Sequence, residues 1–201
     1  MADELQGRRI AILVANEGIE QVELTEPRAA LERAGARVDL LAPEAGTVQA
    51  FDHLDRADAF PVDRTTAEAS ADDYDGLMLP GGVANPDALR MREDAVALVA
   101  AFVNAGKPVA AICHAPWTLV QADAVRGRTL TSWPSLQTDV RNAGGTWVDE
   151  AVVVDAGLVT SRGPDDLPAF SAAMVEAFAA GPADVRRRAQ PARFERSAIL
   201  S

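Results

Sequence analysis

The sequence has very little of what disulfides and structural metal sites require. Its 201 residues include one cysteine, Cys113, and two histidines, His53 and His114. One cysteine cannot form an internal disulfide, and this set offers too few ligands for a typical zinc site. We therefore expect no metal and no cofactor. With no signal-peptide segment at the start, the reducing cytoplasm is the simplest compartment for such a chain.

Long apolar runs and positive charge are also scarce. No apolar run approaches the roughly 18 residues that a membrane-spanning helix needs. There are 19 lysines and arginines against 30 aspartates and glutamates, so the formal net charge is −11. A chain this acidic repels phosphate backbones. We therefore expect no membrane partner and no nucleic-acid partner.

The length and the hydrophobic content suit one compact domain. Hydrophobic residues make up 48% of the 201 residues, which is enough to build a buried core. We predict a single domain over residues 1–181. The segment 182–201 carries five arginines and little apolar periodicity. It is interpreted as an extension that is either mobile or docked on a partner.

Strand-like and helix-like segments alternate along the chain. Apolar runs predict strands at 8–15, 38–42, 76–79 and 109–112, a hairpin at 151–154 and 158–160, and a weak strand near 59–62. Helical periodicity predicts helices at 23–34, 93–104, 116–122, 135–143 and 166–179. Residues 44–73 otherwise have an irregular pattern. The alternation predicts an α/β fold, a doubly wound and mostly parallel sheet with helices on both faces.

Ligands of such sheets bind at the carboxyl ends of the strands, and three candidate pieces lie there. They are the loop 16–23, the turn Pro80-Gly81-Gly82, and the pair Cys113-His114. A cysteine between a strand and a helix is exposed at the top of the sheet, and the helix N-terminus lowers the pKa of a thiol. We therefore predict that Cys113 is a thiolate nucleophile at neutral pH. The alternative is a small buried hydrophobic residue.

The neighbours of Cys113 have several possible roles. The backbone N–H of His114, with an N–H of Gly81 or Gly82, is placed to hold an oxyanion. The His114 side chain is a candidate general base, a group that polarises the site, or a structural residue, because adjacent side chains at a turn often diverge. His53 lies in the irregular segment and is interpreted as a surface residue.

Four carboxylates crowd the first loop and the start of the first helix. Negative charge is favourable at a helix N-terminus, and this effect accounts for most of the four residues, Glu17, Glu20, Glu23 and Glu26. A carboxyl buried beside the sulfur of Cys113 would have a raised pKa. In its protonated form it could donate a hydrogen bond to the thiolate.

Seven stretches in order resemble the ThiJ/PfpI superfamily, and within it the branch of PfpI-like intracellular proteases and general stress proteins. The similarity covers residues 8–179 and is carried by ANEGIEQVELTEP, LMLPGG, GKPVAAICHAP, VRGRTLTSWPS, NAGGTWVD, EAVVVD and LVTSRGPDDLPAF. The resemblance implies a flavodoxin-like sandwich with a cysteine in a nucleophile elbow, which matches Cys113.

The resemblance also implies further site residues. The family's glutamate that bonds to the cysteine stands four residues before a proline, which matches Glu23 before Pro27 and leaves Glu20 as the second choice. In the protease-like branch a carboxylate from a neighbouring subunit completes the Cys-His set. Its position here is near Asp87, and this implies a homodimer or a higher homo-oligomer.

The chain departs from the family pattern at three positions. Asp87 is one carbon shorter than the usual glutamate, Ala115 replaces a glycine, and Trp133 replaces a tyrosine. Trp133 can still donate through its indole N–H but cannot shuttle a proton. The shorter Asp87 weakens the expectation of a protease triad.

Three functions follow from the resemblance. The first is glyoxalase- or deglycase-like chemistry on small reactive carbonyls, or protection against oxidative stress, in which Cys113 attacks and Glu23 relays the proton. The second is peptide hydrolysis with His114 as the base. The third is non-enzymatic redox sensing through oxidation of Cys113. If the chain is an enzyme, we expect a cysteine-dependent hydrolase or lyase, with a small carbonyl or a peptide as substrate.

Overall fold

The computed structural model describes residues 3–182. Its strands are β1 (Arg9–Leu13), β2 (Glu17–Glu20), β3 (Arg37–Ala42), β4 (Thr47–Asp52), β5 (Asp55–Pro61), β6 (Arg64–Thr65), β7 (Gly76–Leu79), β8 (Val109–Ile112), β9 (Thr129–Leu130), β10 (Thr146–Trp147), β11 (Val152–Asp155) and β12 (Leu158–Ser161). Its α-helices are α1 (Gln21–Arg33), α2 (Ala84–Leu89), α3 (Glu93–Asn104), α4 (Pro116–Gln121), α5 (Gln137–Asn142) and α6 (Leu167–Ala180). Single 3₁₀ turns lie at Ala71–Asp73, Pro134–Leu136 and Pro164–Asp166.

A seven-stranded sheet forms the centre of the molecule. Its strand order is β11-β12-β8-β7-β1-β3-β6, and every neighbouring pair is parallel except the hairpin of β11 and β12. From β1 the chain adds β3 and β6 on one side and β7, β8 and β12 on the other, as in a doubly wound sheet. The predicted fold class is therefore confirmed. The carboxyl ends of β7, β8 and β12 lie side by side, which brings the loops that follow them together.

Helices cover both faces of this sheet. Along β1, Ile10 and Ile12 belong to one apolar cluster, whereas Ala11 and Leu13 belong to the other. This alternation follows from the two-residue period of a strand. The first cluster packs under α1 and α6, and the second under α3, α4 and α5. Both faces of the sheet are therefore buried, as parallel sheets require.

The region 44–73 is more regular than its sequence pattern predicts. Strands β4 and β5 form a hairpin, and β2 pairs with β4 to make a second, three-stranded sheet. Only a weak strand near 59–62 was expected here. The reason is that β5 is exposed along much of its length, so its sequence lacks the apolar alternation of a half-buried strand. The short helix α2 was also not predicted.

The remaining predicted elements agree with the structure to within about two residues, except that the helix expected at 135–143 begins with a 3₁₀ turn. Within residues 3–182, no helix combines the length and the apolar character that crossing a membrane would require. The extension predicted for 182–201 lies, apart from Pro182, outside the described residues.

Candidate active site

Cys113 occupies a strained turn between β8 and α4. Its φ is +62°, a left-handed conformation that is uncommon for a residue with a side chain. Two backbone hydrogen bonds hold it there: its N–H donates to Ser161 O across 3.0 Å, and its carbonyl accepts from Trp133 N–H across 2.8 Å. The strain is therefore fixed by two neighbouring segments, as is common at functional sites. The resulting turn has the geometry of a nucleophile elbow.

Two glycines allow a second turn to approach this elbow closely. A Cβ added to Gly81 would collide with the Glu23 carboxylate and with Cβ of Cys113. Gly82 has a φ of +81°, and a Cβ there would collide with the backbone of β2. The Pro80-Gly81-Gly82 turn thus brings its backbone close to the thiol, and the backbone N–H groups of Gly82 and His114 lower the pKa of the Cys113 thiol.

Glu23, in the first turn of α1, is fully buried beside Cys113. Its Oε2 accepts a hydrogen bond from Gly81 N–H across 2.9 Å, whereas Oε1 has no hydrogen-bond partner among the described residues. Burial raises the pKa of Glu23 from 4.5 to about 7, and the negative charge of Glu20 also raises it. The contact with the Cys113 thiol and the N–H groups of Gly81 and Gly82 lower it by less. The carboxyl therefore holds a proton at pH values where an ordinary glutamate is ionised.

The predicted lowering of the thiol pKa is wrong. Burial raises the pKa of Cys113, which is 6% exposed, and the negative charge of Glu23 raises it further. The N–H groups of Gly82 and His114 lower it, but by less. The position before a six-residue helix does not outweigh the loss of water around the sulfur. Because the sulfur and the Glu23 carboxyl are coupled, the thiolate forms when the shared proton lies on Glu23.

His114 turns back onto its neighbour. Its Nδ1 lies 3.2 Å from Cys113 Sγ, and its Nε2 lies 3.4 Å from Ser135 Oγ. The ring stacks on Trp133 with a centroid distance of 5.8 Å and meets the edge of Trp117 at 5.5 Å. Burial lowers the pKa of His114, so the imidazole is neutral at neutral pH. It is therefore positioned to exchange a proton with the sulfur.

A cavity of about 430 Å³ opens over the sulfur. Its lining is mostly apolar and includes Gly18, Glu20, Glu23, Phe51, His53, Leu54, Gly82, Val83, Ala84, Cys113, His114, Trp133 and Pro164. Glu20 lines it and accepts a hydrogen bond from His53 N–H across 3.2 Å. The imidazole of His53 is 82% exposed, as expected of a surface residue, but the β4–β5 turn places it at the cavity mouth.

Three residues that the sequence analysis assigned to the site have surroundings that differ from the expected ones. Asp87, on α2, is 59% exposed and pairs with Arg90 across 2.8 Å. Within residues 3–182, no carboxylate is hydrogen-bonded to His114, so these residues of one chain do not complete a Cys-His-acid set. Ala115 has ordinary helical backbone angles, φ −53° and ψ −32°, so the family's glycine is not needed there. Trp133 serves the site through its backbone N–H and its ring face.

Asn85 is a supporting residue that the sequence analysis missed. It is 1% exposed, and its side chain accepts from Ala15 N–H across 2.7 Å. It also donates to the carbonyl oxygens of Pro80 and Gly81, at 2.8 and 3.0 Å. One amide thus ties the end of β1 to the glycine turn over the thiol. The Asn85-Pro86 pair signals a turn in the sequence, but it does not show what the amide would hold.

Known proteins resemble this chain in sequence. The model of the DJ-1/PfpI family matches residues 8–177. The chain is 41% identical over 165 residues to Protein/nucleic acid deglycase 2 of Escherichia coli, covering 82% of this chain and 94% of that protein. It is 40% identical over 162 residues to Deglycase PH1704 of Pyrococcus horikoshii, covering 81% and 94%.

Two further relatives extend the comparison. Bacillus subtilis YraA, provisionally named a cysteine protease, is 38% identical over 164 residues, covering 82% of this chain and 94% of that protein. The crystal structure of Drosophila melanogaster DJ-1beta superposes with a TM-score of 0.77 at 28% identity, over 89% of this chain and 91% of that chain. The family model, the homologous sequences and the shared fold agree: the chain belongs to the DJ-1/PfpI family.

Proposed function

We propose that this protein is a cysteine-dependent enzyme of the cytoplasm that acts on small reactive carbonyls and on the adducts they form with amines and thiols. The activity is glyoxalase- and deglycase-like and serves protection under stress. The observation that carries the proposal is the pairing of Cys113 with a buried, proton-holding Glu23 in a cavity of about 430 Å³. The two relatives named deglycase support it.

The first step is addition to the carbonyl. The sulfur of Cys113 forms a bond to the aldehyde carbon of a substrate such as methylglyoxal, and the carbonyl oxygen takes up a proton to give a hemithioacetal. The N–H groups of Gly82 and His114, which lower the pKa of the Cys113 thiol, are the donors that stabilise the developing oxyanion. The proton of the monoprotonated Cys113–Glu23 pair lies on Glu23 when the sulfur attacks; Glu23 gives it to the carbonyl oxygen and is left as a carboxylate.

The second step is an internal proton transfer. The Glu23 carboxylate removes the hydrogen from the former aldehyde carbon as a proton and returns it to the neighbouring carbon. The hydroxyl proton on the first carbon passes to the ketone oxygen, so that the ketone becomes an alcohol and the first carbon becomes a thioester carbonyl. The first carbon is oxidised and the second is reduced, so no external oxidant is required. The product is a thioester of lactate on Cys113. Water cleaves this thioester, which releases lactate and restores the thiol.

An amine adduct of methylglyoxal enters the same sequence. The sulfur displaces the nitrogen from the carbon that carries it, the carbon–nitrogen bond breaks, and the leaving nitrogen takes a proton. A pKa of about 7 suits Glu23 for both directions of transfer near neutral pH, since general acid–base groups work best close to the operating pH.

Peptide hydrolysis is the second candidate, and the 3.2 Å separation of His114 Nδ1 and Cys113 Sγ favours it. A cysteine protease also needs a group that orients the imidazole. Among the described residues, Nε2 of His114 meets only the Ser135 hydroxyl, at 3.4 Å. A second subunit would have to supply the acid from Asp87, so a homodimer or higher homo-oligomer belongs to this proposal. Redox sensing through Cys113 is the third candidate, and the 6% exposure of the thiol slows access of oxidants.

One experiment compares the three functions on the same preparations. Lactate formation from methylglyoxal, cleavage of a fluorogenic peptide, and oxidation by peroxide followed by intact mass are measured for wild type, Cys113→Ala and Glu23→Gln. Glu26→Gln, an exposed change one turn further along α1, is the matched control. We expect lactate formation that both site variants abolish and the control retains. Efficient peptide cleavage without lactate formation would refute the proposal.

A further inference from the structure

One side-chain cluster at the cavity mouth combines the donor atoms of a metal site. Nδ1 of His53 lies 3.1 Å from Asp52 Oδ1 and 3.7 Å from Glu20 Oε1, and the three donors lie within 4.8 Å of one another. No metal was expected from the small number of cysteines and histidines. The fold adds two carboxylates to one imidazole, because β2 ends beside the β4–β5 hairpin.

The spacing of these atoms suits a small divalent ion. Nitrogen and oxygen ligands lie about 2.0–2.2 Å from zinc, so neighbouring ligands of a tetrahedral site are roughly 3.3–3.6 Å apart. The two separations measured from His53 Nδ1, 3.1 and 3.7 Å, lie on either side of that range. The side chain of Asp52 is exposed, so its carboxylate can move to close the remaining edge with Glu20.

Glu20 is already oriented toward the imidazole. The backbone N–H of His53 donates to Glu20 Oε2 across 3.2 Å, and Oε1 is the oxygen that approaches His53 Nδ1. The Glu20 side chain is only 12% exposed, so it has little freedom to turn away. Hydrogen bonds of this kind hold the ligands of metal sites in place.

The negative charge of the cluster lacks a permanent counter-ion. Among the described residues, His53 is the only basic side chain within ion-pair distance of Glu20 or Asp52. No lysine or arginine lines the adjoining cavity. Two carboxylates this close repel each other, and the charge of Glu20 also raises the pKa of Glu23. A divalent cation between the carboxylates would remove their repulsion.

We propose that Glu20, Asp52 and His53 bind one divalent ion of the first transition row, with zinc as the representative. The imidazole nitrogen favours such ions over magnesium and calcium, which prefer oxygen ligands. Three protein ligands leave a coordination position open, as in catalytic rather than structural zinc sites. Because Glu20 and His53 line the cavity, water or an oxygen atom of a molecule in the cavity is available to fill that position.

The test is isothermal titration calorimetry of zinc into the full chain and its variants. We expect one ion per wild-type chain, which a large excess of magnesium does not displace. His53→Asn removes the imidazole but keeps a residue type that tolerates the left-handed backbone at this position, where φ is +57°. Asp52→Asn removes one carboxylate. Each should raise the dissociation constant roughly tenfold or more, since even the outer partners of metal ligands contribute that much.

Asp55→Asn is the matched control. Asp55 pairs with Asp52 across the β4–β5 hairpin, is exposed and lies outside the cluster, so this variant removes the same charge from the same hairpin. It should leave the dissociation constant within about twofold of wild type, because an exposed charge that is not a ligand acts only through screened electrostatics. An equal weakening in Asp52→Asn and Asp55→Asn would overturn the proposal.

Cys113→Ala removes the competing donor, since Cys113 and His114 are the only other cysteine and histidine in the chain. We expect it to bind zinc as wild type does. A second readout is the melting temperature, which zinc should raise in wild type and in Cys113→Ala but not in His53→Asn. Absence of stoichiometric binding to wild type would refute the site. So would binding that Cys113→Ala abolishes and His53→Asn retains.

Discussion

Gly81 donates its backbone N–H to Glu23 Oε2 across 2.9 Å, while the other oxygen of the same carboxyl has no hydrogen-bond partner within residues 3–182. This asymmetry fixes where the proton of Glu23 is held. Oε2 is occupied as an acceptor, so Oε1 is the oxygen that carries the proton, and the Cys113 thiol lies beside that carboxyl.

We expect Glu23 to support the thiolate by donating a hydrogen bond to it. Glu23→Gln keeps an N–H donor near the sulfur, whereas Glu23→Met is similar in size and has none. Donors to the charged form lower a pKa. We expect the midpoint of Cys113 alkylation by iodoacetamide, followed over pH, to be at least one pH unit lower in Glu23→Gln than in Glu23→Met. Equal midpoints would mean that the carboxyl does not donate to the sulfur.

Stability should fall with rising pH because of Glu23. Its pKa is raised to about 7 in the folded protein from a usual 4.5, so between these values the folded state holds a proton that the unfolded state has lost. Stability is therefore greatest below about pH 4.5 as far as this group is concerned, and declines up to about pH 7. The total is at most about 3.5 kcal/mol, from roughly 1.4 kcal/mol per pKa unit.

The measurement is urea unfolding of wild type and Glu23→Gln at several pH values between 4.5 and 8. The difference in unfolding free energy between the two proteins should shift in favour of the glutamine variant as pH rises, and should level off above pH 7. Glu26→Gln, which alters an exposed carboxylate on the same helix, should run parallel to wild type. If the difference in unfolding free energy between wild type and Glu23→Gln did not change with pH, the raised pKa of Glu23 would be contradicted.

Gly81→Ala should abolish activity. The added Cβ meets the Glu23 carboxylate, Cβ of Cys113 and the carbonyl of Ile112 at once, so the turn must move away from the thiol. We expect at least a hundredfold loss of kcat/KM, since displacements on the order of 1 Å at a reacting centre cost that much. Gly127→Ala, with φ +69° and open space around its Cβ, is the control. It should cost about 1 kcal/mol of stability and retain activity.

Asp87 should be dispensable for carbonyl chemistry. It is 59% exposed, pairs with Arg90 and does not line the cavity of its own chain. We expect Asp87→Asn to keep lactate formation from methylglyoxal within twofold of wild type. The same variant tests the peptidase candidate, because any peptide cleavage that depends on a second subunit's acid should fall. A tenfold loss of lactate formation would contradict this prediction and would mean that Asp87 contributes to the carbonyl chemistry.

The central fold could be predicted because its signals are local. Strands such as β7 and β8 are continuous apolar runs, and their bounds agree with the sequence pattern. The same applies to α3, where apolar residues recur at helical spacing. The β4–β5 hairpin could not be found in this way, because its exposed strand carries few apolar residues and is held by pairing with a neighbour. His53 therefore reaches the cavity mouth without any local signal.

The chemistry of Cys113 shows the same limit. Its position before a helix is visible in the sequence and predicted a lowered thiol pKa. The burial of the sulfur and the charge of Glu23 depend on residues far apart in the chain, and they raise it. The family resemblance supplied Glu23 through its spacing to Pro27. It supplied neither the Gly81 hydrogen bond nor the Asn85 amide that holds the turn.

The left-handed backbone at Cys113 bears on how this nucleophile persists. Such a conformation costs an L-residue roughly 1–2 kcal/mol, and glycine avoids that cost. A Cys113→Gly chain would shed the strain and also the thiol, and so would fold more favourably than Cys113→Ala while doing no chemistry. At this position, the substitution that most favours the backbone conformation is therefore one that removes the reactive thiol.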